Sequence, residues 1–196
     1  EFVALADLDA VVVSHEHPDH WLELPVLRNA LKYWAGRSGV PLFTTAGTLD
    51  LGRPFRLAPG AFAASAISDG DALDIGDLAF RFSRTDHPVE TLAVRVDHGG
   101  AALGYTSDTG PAWSCEALGA DLDVLIAEAT FRHGDGNAPV HLTARQAGEQ
   151  AAAARARRLV LTHLLPGADE AAAVIEAADA YGADVEAAQV QVTYAA

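Results

Sequence analysis

The sequence predicts an α+β fold with sheets in the middle and helices outside. Two observations carry this. The first part of the chain is a succession of short strand-like segments separated by turn residues, and the second part alternates strand and helix. A length of 196 residues, half of them hydrophobic and a fifth charged, fits one globular domain spanning 1–196 with a sizeable core.

In chain order, Asp9 to Ser14 contains Val11-Val12-Val13, a β-branched run too short for a helix, and reads as a buried strand. It leads into His15-Glu16-His17-Pro18-Asp19-His20. An amphipathic helix is expected from about Trp21 to Trp34, with Pro25 in its first turn and Gly36 beyond its end. Val40 to Thr44 and Ala61 to Ile67 read as strands, followed by Leu78 to Arg84, Leu92 to Val96 and Ala101 to Tyr105, with His98-Gly99-Gly100 as a turn. Then come strand Val124 to Ala127, helix Thr143 to Ala156 with Thr143 as its N-cap, strand Leu159 to Thr162, helix Ala168 to Tyr181 and strand Val190 to Tyr194.

Composition narrows the partners. The net charge is −14, from 13 basic and 27 acidic residues, and Lys32 is the single lysine. Gripping a long nucleic acid takes a basic stripe, because phosphate neutralisation supplies most of the affinity, so a long nucleic acid is not expected as partner. The densest basic cluster, Arg155, Arg157 and Arg158, reads more simply as the cationic end of an alanine-rich helix. No apolar run approaches the ~20 residues that cross a bilayer. The single cysteine, Cys115, excludes an intrachain disulfide and suits a reducing, cytoplasmic compartment. The chain opens on Glu1 rather than Met, so the lack of a visible signal peptide carries no weight.

The strongest feature is His15-x-His17-x-Asp19-His20. Three histidines and an aspartate within six residues converge on metal if the segment is a tight loop after a strand, since imidazole suits zinc and similar divalent ions and the carboxylate adds charge. His87, Asp108 and His163 each follow a predicted strand, at sheet ends that gather residues distant in sequence. Each alone reads more simply as structural; with the six-residue motif they complete two sites.

In order and rough spacing, these seven residues resemble the metal-ligand series of the metallo-β-lactamase superfamily. The resemblance implies a four-layer αββα sandwich and two divalent ions ~3.5–4 Å apart, zinc first, with manganese or iron as alternatives. His15, His17 and His87 would hold one ion, Asp19, His20 and His163 the other, with Asp108 bridging. A histidine at His17 argues against the diiron flavoprotein branch. An aspartate at Asp108 argues against the true β-lactamases, and Cys115 is left to packing.

Glu128-Ala129-Thr130-Phe131, His141-Leu142-Thr143 with Gln146-Ala147, and Leu161-Thr162-His163 resemble the second half of ribonuclease Z and its phosphodiesterase relatives. On that resemblance His141, held by Glu128, lies near the scissile phosphate and protonates the leaving oxygen, while Asp19 orients a metal-activated hydroxide. Read on its own, His141 is equally a helix N-terminal residue capping backbone. Family members carry roughly fifty residues before the six-residue motif, so the first sheet is expected to lack N-terminal strands. Its open edge would then be covered by upstream chain, a second copy in a homodimer, or another polypeptide.

No lysine- or arginine-rich insertion is present, and the stretches His15 to Leu24, Asp86 to Thr91 and Thr106 to Gly110 look more like the small-nucleotide phosphodiesterases related to ribonuclease Z. The expected substrate is therefore a small phosphodiester such as a cyclic nucleotide. The alternatives are transfer-RNA 3′ processing, thioester or lactone hydrolysis on the same site, and a non-catalytic metal-binding protein. Trp21 or Trp113 would stack on a base or serve the core.

Overall fold

The computed structural model describes residues 4–135 and 140–196. Val11–Val13 forms β1. The chain turns at His17 into two short helices, α1 (Pro18–Trp21) and α2 (Leu24–Asn29), the second running into a wider π-helical turn over Ala30–Trp34. β2 (Val40–Thr44), α3 (Ala46–Gly52) and β3 (Phe62–Ala66) follow. β1, β2 and β3 pair in parallel in that order as one sheet.

The second sheet begins with an antiparallel meander of β4 (Ala72–Ile75), β5 (Leu78–Arg84), β6 (Leu92–His98) and β7 (Ala101–Tyr105). Gly99 and Gly100 make the two-residue turn between β6 and β7, with φ of 59° and 91°, backbone that suits glycine. From β7 the sheet continues in parallel through β8 (Val124–Glu128), β9 (Leu159–Thr162) and β10 (Val185–Ala187). The connections carry α4 (Ala144–Ala153) and α5 (Glu170–Tyr181). Thr143 caps α4 in a capping box with Gln146, and Asp169 caps α5.

The layers follow from which faces are apolar. Ala147, Ala151 and Ala177 of α4 and α5 pack on Leu125, Ala127, Leu159 and Leu161 of the second sheet. Trp21, Leu24 and Leu31 pack on Val13, Val40 and Leu42 of the first. Between the sheets Phe82, Leu92 and Val94 meet Val12 and Phe43. The result is the expected order of helices, sheet, sheet, helices. Among the described residues β1 pairs only with β2, and beside it a groove of about 670 Å³ opens between Val12 and Phe43 on one side and Ile75, Leu78 and Phe80 on the other.

Four sequence expectations are corrected. The single helix Trp21 to Trp34 starts earlier, with Pro18 at its first position, and breaks after Trp21. Pro25 has no N–H to continue a helix from Trp21, so α2 starts afresh beside it. α3 and β4 were not expected; both are short, and α3 is announced only by Thr45, whose hydroxyl accepts from Thr48 N. The last strand is Val185–Ala187, not Val190 to Tyr194. Gly182 ends α5 with φ of 81°, and Val185 and Ala187 pair at once with Leu159 and Leu161, leaving Val190 exposed. Arg155, Arg157 and Arg158 lie beyond the end of α4 and bond to Asp121, Asp123 and Glu186, so neighbouring carboxylates, not a helix terminus, neutralise them.

The two outer helices meet at Gly148. A Cβ there would lie 2.3 Å from the Ala177 carbonyl oxygen and 3.0 Å from Ala180 Cβ. The obstacle is backbone, which cannot swing aside. Gly148→Val should therefore lower stability by about 2–3 kcal/mol in urea unfolding, overlap outweighing the ~0.3–0.5 kcal/mol that helix propensity gains on exchanging glycine for valine. An unchanged urea midpoint would show that the helices do not approach this closely.

Candidate metal centre

All seven residues singled out as ligands come together at the ends of strands. The loop after β1 carries His15 and His17, α1 carries Asp19 and His20, and the segment is pinned where Trp21 Nε1 donates to the Glu16 carbonyl at 2.9 Å. It is joined to the second sheet by Leu92 N donating to the Ser14 carbonyl. His87 follows β5, Asp108 follows β7 and His163 follows β9. Thr85 Oγ1 donates to the Asp108 carbonyl at 2.7 Å, tying two of these ends together.

The donor atoms form two groups. His17 Nδ1 lies 3.2 Å from His15 Nε2 and 3.1 Å from His87 Nε2. In the second, His20 Nε2 and His163 Nε2 lie 3.4 and 3.5 Å from Asp19 Oδ2. Asp108 Oδ2 stands between the groups, 3.4 Å from His20 Nε2, 3.5 Å from His163 Nε2, 3.7 Å from His15 Nε2 and 4.0 Å from His87 Nε2.

These residues fit divalent metal. Two nitrogens each ~2.05 Å from a tetrahedral ion lie ~3.3 Å apart, which is the spacing of the closest donors in both groups. His87 Nδ1 bonds to the Val140 carbonyl, which only accepts, so its proton is on Nδ1 and its Nε2 faces His17 as a bare lone pair. Facing lone pairs repel unless a cation or proton lies between them. Burial, helped by the neighbouring His20, pushes the His15 imidazole down to about 3, so it is in the neutral form that binds metal. Burial also lowers His87. Burial alone would raise Asp108, but His20 beside it and the imidazoles of His163 and His15 hold its carboxyl at about 2. His20 Nε2 and Asp108 Oδ1 are buried with no hydrogen-bond partner among the described residues, a costly state that metal coordination relieves.

Beside the cluster, His141 Nδ1 donates to Glu128 Oε1 at 2.8 Å. That hydrogen bond raises the His141 pKa against the opposing effect of burial. Glu128 is fully buried, and its two oxygens also accept from Thr109 N, Thr130 N and Thr130 Oγ1. The helix-capping alternative for His141 is not what the structure shows: Thr143 makes the cap. His141 Nδ1 is also 3.9 Å from Asp108 Oδ2, so it stands at the cluster's rim.

Neither expected stacking residue is free to stack. Trp21 is buried in the first sheet's core, and Trp113 is buried with Nε1 donating to Ser83 Oγ. Cys115 packs in the core and burial pushes its thiol up to about 12, consistent with its exclusion as a ligand. Sequence reasoning missed the groups that hold the site's geometry: the Val140 carbonyl, the Thr109 amide and the Thr85 hydroxyl. The first two are backbone atoms, to which residue type gives no clue.

Residues 3–164 match the family described as a Beta-lactamase superfamily domain. An uncharacterized protein of Mycobacterium tuberculosis is 30% identical over 189 residues, covering 90% of this chain and 69% of that protein. A ribonuclease Z of Mycobacterium sp. is 28% identical over 196 residues, covering 84% of this chain and 68% of the enzyme. The crystal structure of the metallo-β-lactamase fold protein YhfI from Bacillus subtilis superposes with a TM-score of 0.86 at 26% identity, covering 96% of this chain and 78% of that one.

Proposed function

The chain belongs to the β-lactamase superfamily and is a metallo-hydrolase of it, related to ribonuclease Z, and on that premise we propose that it hydrolyses a small phosphodiester, a cyclic nucleotide such as cyclic AMP, with two divalent ions. The observation that carries the reading is the pair of His141 and Glu128, 2.8 Å apart beside the ligand cluster. Hydrolysis of a phosphodiester must release an alkoxide, which needs a proton. A thioester's thiolate leaves without one, so a thioesterase has no use for this pair.

His15, His17 and His87 would hold one ion, and Asp19, His20 and His163 the other, with Asp108 shared. Zinc suits this nitrogen-rich set, and manganese or iron are the alternatives. Bound there, the ions would acidify a water and offset the charge that gathers on the phosphoryl oxygens. Asp19, the more exposed of the two aspartates, orients the attacking water by accepting its hydrogen bond. Glu128 fixes the His141 ring through Nδ1 and favours its protonated form, so Nε2–H is the proton delivered to the leaving oxygen.

Small substrates are favoured over transfer RNA by charge. The three clustered arginines are engaged with carboxylates, and a net charge of −14 repels a long polyanion. Two ions neutralise a single phosphate without an extended basic surface. No helix among the described residues is long and apolar enough to cross a membrane.

The test follows cyclic AMP, cyclic GMP, an aryl phosphodiester, an acyl thioester and precursor transfer RNA with zinc-, manganese- or iron-loaded protein. Turnover of the small phosphodiesters above the thioester and the RNA is expected. Precursor-RNA cleavage with no small phosphodiester turned over would instead establish the nuclease reading that the similarity to a ribonuclease Z favours.

A further inference from the structure

The Glu128 carboxylate is shared. One oxygen, Oε1, holds His141; the other, Oε2, accepts from Thr130 Oγ1 at 2.8 Å and from Thr130 N at 3.2 Å. A carboxylate only accepts, so the single hydroxyl proton of Thr130 points at Glu128. The same hydroxyl lies 2.7 Å from His163 Nδ1. With its proton committed, the Thr130 oxygen can only accept there, which places the ring proton of His163 on Nδ1 and leaves Nε2 bare. Nε2 is the atom that lies 3.5 Å from both Asp19 Oδ2 and Asp108 Oδ2.

We propose that Thr130 is a positioning residue for the second ion, its hydroxyl relaying the Glu128 carboxylate to His163 and so fixing which ring nitrogen faces the ligand cluster. This rests on the ligand role given to His163 above.

Neighbouring backbone makes the relay rigid. Ala129 N donates to the Thr162 carbonyl at 2.9 Å, so the segment carrying Thr130 is bonded to the residue before His163. His163 has φ of 58°, the left-handed region that is strained for a non-glycine residue and persists only where its surroundings hold it. Without the bond at Nδ1 nothing on Thr130 selects the tautomer, and the ring is free to reorient. One buried carboxylate thus orients both a second-ion ligand and the acid, through separate oxygens.

The experiment uses the full chain with zinc alone as probe, titrated by calorimetry, for wild type, Thr130→Val and Thr130→Ser. Valine keeps the branched shape and removes the hydroxyl; serine keeps the hydroxyl. Wild type and Thr130→Ser should take up two ions with similar affinities. Thr130→Val should bind the first ion as wild type does and the second ~10–100-fold more weakly, the usual cost of losing an outer partner of a ligand. A long-range ¹⁵N spectrum of metal-free wild type should show the His163 proton on Nδ1 although two carboxylates face Nε2, and this decides the matter even if Thr130→Val fails to fold. Two ions bound by Thr130→Val with wild-type affinities, or a His163 proton on Nε2, would overturn the relay alone. Wild-type protein that takes up no zinc would overturn the metal reading and the relay with it.

Discussion

Asp108→Ala should strip the protein of both ions and lower its hydrolytic turnover by about 10³-fold or more, while leaving it folded. The Asp108 carboxylate touches both sets of donors, with Oδ2 between 3.4 and 4.0 Å from the Nε2 atoms of His15, His20, His87 and His163. Removing it would delete a negative charge from a pocket of imidazoles and, on the two-ion reading, would take from each ion a ligand and the electrostatic offset to its neighbour's charge. The backbone has independent support: the Asp108 carbonyl accepts from Thr85 Oγ1, and the residue follows β7. An unfolded mutant is therefore not expected, and circular dichroism separates that outcome from metal loss. Metal content by elemental analysis is the decisive measurement. An Asp108→Ala protein that keeps two ions would show that the groups bind independently and that the bridge is wrong.

The site was far more legible in the sequence than the fold's details were. His15, His17, Asp19 and His20 lie on one short segment, a loop and the single turn of α1 that follows it, so their convergence is a local property that spacing reveals. His87, Asp108 and His163 could be added because each ends a strand, and a sheet brings strand ends together whatever their separation in sequence. Layer order was legible for a similar reason, since alternation and helical periodicity report which faces are apolar. What failed was decided by tertiary contact. Val190 to Tyr194 alternates as a strand should, yet β10 forms over Val185–Ala187 because those residues reach the open edge of β9 first. Trp21 sits beside four metal-ligand candidates in sequence, but its indole is spent on the Glu16 carbonyl and the core beneath the loop. The Glu128, Thr130 and His163 chain was invisible as a chain: each residue belongs to a recognisable motif, and only the geometry shows one hydroxyl joining two of them.

His141→Ala is the second large effect, and it should differ from Asp108→Ala in kind. Turnover of a phosphodiester should fall ~10²–10⁴-fold, the usual range for losing a general acid, with two ions still bound. The expectation of retained metal is a real discrimination. His141 lies close enough to Asp108 and His163 for the three to be an alternative ligand group. The hydrogen bonds favour the acid role. His141 Nδ1 is engaged with Glu128 Oε1 at 2.8 Å, whereas its distance to Asp108 Oδ2 is 3.9 Å. His87 and His163 differ in this respect: each carries its ring proton on Nδ1, bonded to the Val140 carbonyl and the Thr130 hydroxyl, and directs Nε2 at the cluster's other donors. The leaving group supplies a second readout. A substrate whose alcohol is acidic, such as a nitrophenyl phosphodiester, departs without help and should lose much less in His141→Ala than a nucleotide ester does. Glu128→Gln should reproduce part of the same pattern, because an amide holds the ring less firmly and no longer favours its protonated form. Loss of one ion from His141→Ala, or an equal loss of rate with both leaving groups, would assign His141 to metal binding and leave the departing oxygen to be protonated by water.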